Sequence, residues 1–206
     1  MQHALDELPD TLDATYERTL QEIDNINGDY ARRLLPCVAV ASRPLHVEEL
    51  AEILAFDFKA GPIPKFCENW RLEDPLEAVL STCSTLLVLI HDNHFDNFPV
   101  VQFSHFSVKE FLTSARFAEK SDPISRHYHI STTSAHTLVA QACLSILLHL
   151  DQDVDNDSLK KFPLAEYAGK HWVEHARFDG VSQNAEEGMK RLFDASKRHL
   201  AVWAWI

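Results

Sequence analysis

LLVLIHDNHFDNFPVVQFS, residues 86–104, is the stretch on which the fold turns. Leu86 to His91 is a dense apolar run of strand formers, Asp92 to Phe98 is a polar, turn-rich tip, and Val100 to Ser104 is a second short apolar run. The three parts together predict a β-hairpin. Upstream, Ser42-Arg43-Pro44 stops a helix expected from about Tyr30 to Ala41, with Leu34, Leu35, Val38 and Ala41 on one face. A short helix follows from Val47 with Leu50, Ile53 and Leu54, Pro62 and Pro64 mark a loop, and a further helix runs from Asp74 with Leu76, Val79 and Leu80. Downstream, His105 to Phe117 reads as one more helix. Three helices followed by a two-stranded wing is the order of a winged helix.

The outer segments are helical as well. Pro9 and an Asp10 or Thr11 cap precede a periodic run through Leu20 and Ile23, closed by the turn signal Asn27-Gly28-Asp29. Beyond Asp122-Pro123, helices are expected over Ala135–Leu150, Pro163–Ala176 and Ala185–Ala195, joined by polar loops at 151–158 and 178–184. The expected fold is mainly α: a lead-in segment (1–27), a winged helix with a small β-hairpin wing (28–120), and a helical linker array (121–206). Leu34, Leu50, Leu54, Leu80, Leu87, Val101 and Phe111 are the expected winged-helix core. The apolar end Ala204-Trp205-Ile206 suits a chain that continues.

With 206 residues, 46% hydrophobic and 24% charged, the chain can bury a sizeable core. A formal net charge of -12 and no basic block argue against nucleic acid and against anionic membrane surfaces. Cys37, Cys67, Cys83 and Cys143 form no CxxC pair and read as reduced core thiols of a cytoplasmic protein. Nothing near Met1 resembles a signal peptide, and no apolar run approaches the roughly 20 residues that span a bilayer. The five glycines make neither GxxxxGK nor GxGxxG, so no loop here cradles a di- or triphosphate by itself.

Several patterns suggest chemistry. His171-Trp172-Val173-Glu174-His175 has the HxxEH spacing of an inverted zinc peptidase, in which two histidines four apart on a helix share a metal and the glutamate polarises water. A third ligand would have to come from Asp179, Glu186, Glu187 or Asp194, and with twelve histidines the pattern also arises by chance, so a structural helix is preferred. Asp151 to Asp157 opens like a calcium loop, but Asn156 replaces the turn glycine and Phe162 the bidentate glutamate, so a solvated acidic loop is preferred. His91 with His94, and His127 with His129, lack supporting ligands, and no metal site is expected. No GxSxG surrounds a serine. The helix in the DNA-reading position, Asp74 to Thr82, carries acids and no Lys or Arg.

LPDTLDATYERTL, ASRPLHVEELAEIL, FSHFSVKEFL, and YAGKHWVEHA with HLAVWAWI resemble, in order and over nearly the whole chain from about Leu5, the region after the NACHT domain in fungal proteins that often continue into ankyrin repeats. RPL-x-x-EEL and FxHxSVKEFL are the most specific of these, and the winged helix is similar to the GPI inositol-deacylase type. The resemblance implies a part of a STAND-class signalling ATPase in which ADP keeps the domains closed and ATP lets them oligomerise. It implies an intramolecular NACHT domain upstream that holds ADP or ATP, with no cofactor in this chain, and ankyrin-type repeats downstream. It also explains HWVEH as part of a linker helix. In related animal receptors a histidine in an FxHxxxxEF context reaches the β-phosphate of ADP; Phe103 to Phe111 fits that context and gives His105 the sensor role. The alternative is a His105 that caps the strand–helix junction. The Walker segments are absent, so hydrolysis would not be this chain's own activity. Met1 so close to LPDTLDATY implies a shortened version of a longer protein. A plain protein-interaction scaffold is the rival expectation.

Overall fold

In the computed structural model, residues 3–23, 25–83, 85–91, 99–120, 122–150 and 154–206 are described, with side chains from Leu12 onward apart from 25, 26 and 83. The chain opens with α1 (His3–Glu22), ahead of the start expected at Pro9–Asp10, and α2 (Asn25–Val40), which likewise begins before Tyr30. Pro36 lies inside α2. It removes one helix hydrogen bond, and burial of Leu34, Leu35 and Cys37 around it outweighs that loss.

After the Ser42–Pro44 stop come β1 (Leu45–His46), α3 (Val47–Glu52), a 3₁₀ turn at Ile53–Ala55, β2 (Phe56–Asp57), β3 (Lys65–Phe66), a second 3₁₀ turn at Glu68–Trp70, and α4 (Pro75–Cys83). The expected hairpin is β4 (Leu87–Ile90) and β5 (Val100–Phe103), paired antiparallel with Leu89 opposite Val101. Its tip, Asp92–Phe98, lies outside the described residues. β1 adds to the other side of β5, with Leu45 opposite Val101, so the sheet order is β1-β5-β4. A helix, a strand, two helices and a wing make the chain a winged helix. β1 and the small β2–β3 pair were not expected, because two-residue strands carry no readable alternation.

The single helix expected over His105–Phe117 is two, α5 (Phe106–Thr113) and α6 (Ala115–Glu119). Ser114 breaks it: its backbone is extended (φ -72°, ψ 141°), and its hydroxyl accepts from Phe117 N at 3.1 Å, the serine competing locally for a helix amide. α7 (Pro123–Tyr128) was also missed, although Asp122 caps Ser125 N at 2.7 Å and Pro123 occupies its first turn. The rest is helical: α8 (Thr132–His149), α9 (Asn156–Leu159), α10 (Leu164–Ala176), α11 (Ser182–Leu192) and α12 (His199–Trp205). α9 lies partly within the expected loop at 151–158. Asp155 caps it by accepting from Ser158 N at 2.7 Å, while Asp151–Asp153 fall outside the described residues. Gly180, between α10 and α11, has φ +78°, where an added Cβ would also sit 3.3 Å from Thr133.

One contiguous core runs through the winged helix and the helices behind it. α8 is its axis; Ala140, Ala142, Cys143, Leu144, Ile146 and Leu147 are all buried, as suits a helix apolar on all sides that packs on α2, α10 and α11. Of the expected core, Leu34, Leu50, Leu54, Leu87, Val101 and Phe111 are buried. Leu80 is only half-buried, and Val79 takes its place because the inward face of α4 centres on it. Burial pushes the Cys37 and Cys143 thiols up, whereas Cys67 is partly exposed; the side chain of Cys83 lies outside the description.

Two buried glutamates of α3 pin this arrangement. Glu49 receives both arms of the Arg43 guanidinium, at 2.6 and 2.8 Å, and the N–H of His46 at 2.8 Å, which closes the start of its own helix. Glu52 receives Arg71 Nε at 3.1 Å and, from far along the chain, the N–H of Leu164 at 2.8 Å, one of the orphan amides that open α10. Burial pushes the Glu52 carboxyl up, against the Leu164 amide and Arg71, which pull it down. Arg71 in turn lies 5.0 Å from the rings of both Phe66 and Phe162. Replacing Glu52 by Ala leaves the Leu164 amide without its acceptor and Arg71 with only Lys161 O and Glu68, and is expected to cost about 3 kcal/mol in urea unfolding. Glu48→Ala, on the same helix, serves as the control and should cost under about 0.5 kcal/mol.

Candidate functional site

The wing delivers His105 to a junction. β5 ends at Phe103, Ser104 N bonds back to Leu86 O at 2.9 Å, and His105, extended at φ -150° and ψ 148°, is the N-cap of α5. Its Nδ1 accepts from Ser107 N at 3.2 Å and lies 2.6 Å from Ser107 Oγ. The capping role is thus present in the structure. The imidazole itself is exposed and lies tilted against Phe106, ring centroids 4.4 Å apart; the Phe106 side chain, 68% exposed, is the most exposed large apolar group among the described residues. A cleft of about 340 Å³ opens beside it, lined by Ser42, Arg43, Phe103, Phe106 and Lys109.

Helix α1 closes the other side. Tyr16 packs on Phe111 at 5.5 Å, and its hydroxyl lies 2.7 Å from Ser107 Oγ. Asp13 pairs with Arg116 at 2.5 Å, and Glu17 pairs with Lys120. The residues of LDATYE that face α5 and α6 are therefore Asp13, Tyr16 and Glu17. Sequence reasoning saw that stretch as a helix, but no local signal names the partner of a tyrosine about ninety positions away.

The HxxEH histidines do not converge. His175 is fully buried and both of its nitrogens are engaged, Nδ1 with His136 Nδ1 at 2.9 Å and Nε2 with the Tyr167 hydroxyl at 2.8 Å. His171 Nδ1 instead faces Glu174 at 3.3 Å. The same Tyr167 hydroxyl accepts from Ser42 N at 3.0 Å, and Arg43 lies 5.1 Å from its ring. The HWVEH helix and the SRPL turn are thus each other's partners. His127 approaches Gly28 O at 3.4 Å while His129 lies tilted beside Phe117, so that pair points to separate neighbours; His91 is exposed and His94 lies outside the described residues. Among the described residues no three His, Cys, Asp or Glu side chains are placed to share a metal ion.

A winged helix continued by a packed helical array, with a capping histidine where the wing meets α5, is the class that fold and site define. The chain belongs to the GPI inositol-deacylase winged helix domain family, whose model matches residues 16–122, just over half of the chain. It is also 29% identical over 208 residues to the azaphilone pigments biosynthesis cluster protein L of Monascus ruber, an alignment that covers 98% of this chain and 42% of that protein. The chain therefore spans less than half the length of that relative. No solved structure matches it. Among the described residues no helix is long and apolar enough to cross a membrane.

Burial, with the neighbouring His136 adding to it, lowers His175 from its ordinary value to about 4. The unfolded chain therefore takes up this proton first, near pH 6.5. Above that pH the buried imidazole imposes no penalty; as pH falls from about 6.5 toward 4, stability should drop by on the order of 3 kcal/mol from this group. Urea midpoints across that range should show the decline, and His175→Gln should flatten it while lowering stability at pH 8.

Proposed function

We propose that the chain is a non-catalytic regulatory and interaction module of a NACHT-type STAND signalling ATPase. It couples the nucleotide state of an upstream NACHT domain to downstream ankyrin-type repeats and to oligomerisation on activation, in the cytoplasm. ADP or ATP belongs to the neighbouring domain, and His105 meets its phosphate from the winged-helix side. The observation that carries this reading is the exposed imidazole at the wing–helix junction, with one nitrogen committed to the cap and Phe106 laid open beside it. Membership in the winged-helix family and a relative more than twice as long support a module working beside other domains. The net charge of -12 and an α4 without Lys or Arg favour protein partners over nucleic acid.

The test is ADP retention by a polypeptide that joins this chain to an upstream nucleotide-binding domain. A hydrogen bond to a charged phosphate contributes about 1.5–3 kcal/mol, so His105→Leu should speed ADP release by roughly 10- to 100-fold. Unchanged release and unchanged assembly would instead favour a scaffold in which the His105–Phe106 face binds protein alone.

A further inference from the structure

Three atoms around His105 fix the direction of a hydrogen-bond chain. Ser107 Oγ lies 2.7 Å from the Tyr16 hydroxyl and 2.6 Å from His105 Nδ1, and the Ser107 backbone N–H donates to the same Nδ1 at 3.2 Å. A backbone amide can only donate, so Nδ1 presents a lone pair. Were Ser107 Oγ to turn a lone pair toward Nδ1 as well, two acceptors would face each other at 2.6 Å; its single proton must therefore point at Nδ1. With that proton committed, Ser107 Oγ can only accept from Tyr16. The order is Tyr16 O–H to Ser107 Oγ–H to His105 Nδ1, and the neutral imidazole carries its own proton on Nε2.

We infer that Tyr16 and Ser107 are positioning residues that hold His105 in its Nε2–H tautomer, so that the ring edge opposite Ser107 is a hydrogen-bond donor for an anionic oxygen. Tyr16 sits on α1, and α1 is seated by the Asp13–Arg116 and Glu17–Lys120 pairs. Seating of α1 is thereby read out at His105: when α1 leaves, Ser107 Oγ loses the donor that polarises it, and its own bond to Nδ1 weakens. The use of this donor edge on a phosphate rests on the function proposed above; the tautomer and its control by α1 do not.

The experiment is a long-range ¹H–¹⁵N correlation spectrum of the ¹⁵N-labelled chain at pH 8, without nucleotide, with the His105 signals assigned by their loss in His105→Gln. The wild type should show a hydrogen-bonded, pyridine-type Nδ1 and a protonated Nε2. Ser107→Ala should move Nδ1 toward the position of a free pyridine-type nitrogen, and Ser107→Thr should restore it. Tyr16→Phe, which keeps the packing on Phe111, should move it in the same direction by less. A proton on Nδ1 in the wild type, or an Nδ1 signal that Ser107→Ala leaves in place, overturns the proposal. A signal that Tyr16→Phe leaves in place overturns its coupling to α1. Should the tautomer hold while His105→Leu leaves ADP release unchanged, the phosphate reading fails and the positioning chain stands.

Discussion

Glu52 of α3 is the interaction on which the rest depends. Its carboxylate holds Arg71 from the loop before α4 and the first amide of α10, so one buried group ties the helix-turn-helix to the array behind it. A buried carboxylate is costly unless every partner is present. Here the carboxylate and its two partners come from three separate segments, so it is satisfied only when all three are in register. Glu49, one turn earlier, does the same locally by locking Arg43 and the first turn of α3. Both acids lie in the RPL-x-x-EELAEIL stretch, which gives a physical reason for the motif's form.

The same logic makes the winged helix and the helical continuation a single packed unit. Tyr167 on α10, itself bonded to His175, receives Ser42 just past the end of α2, while α8 buries apolar groups against α2 on one side and α10 and α11 on the other. Burial raises Tyr167 above its ordinary value and lowers His175, so both stay neutral in ordinary buffers and the junction is held by neutral hydrogen bonds. A rotation of one part against the other would have to break this network and open the shared core. Movement at this junction is accordingly more costly than movement at the chain's leading helix.

Much of the fold was legible because it rests on local signals. The apolar runs of β4 and β5, the Pro44 stop, the long apolar run of α8 and the periodicity of α10 each state their own structure. Ser114 hid a break because a serine inside an apolar helix pattern carries no fixed meaning until its hydroxyl finds an amide. β1 is two residues long and is a strand only because β5 lies beside it. His105 was legible as a cap, through its place before α5, while the FxHxSVKEF context marked it by resemblance alone. Tyr16 and Ser107 were not, because what matters about them is a contact between helices far apart in sequence, and periodicity reports only which face is buried.

The two attachments to the winged helix differ in kind, and this difference bears on how a signal could pass. α10 is held by buried groups in low dielectric, where screening is weak. α1 fully buries one side chain among its described residues, Leu20, and is otherwise held by Tyr16 on Phe111 and by ion pairs whose cations are the more exposed partners, Arg116 being 58% exposed. Exposed pairs contribute little each and are weakened by salt. α1 is thus the more easily released of the two, while the helices behind the wing remain fixed. Loosening of α1 would be felt directly at Phe111, Arg116 and Lys120 and at Ser107, the hydroxyl that faces His105.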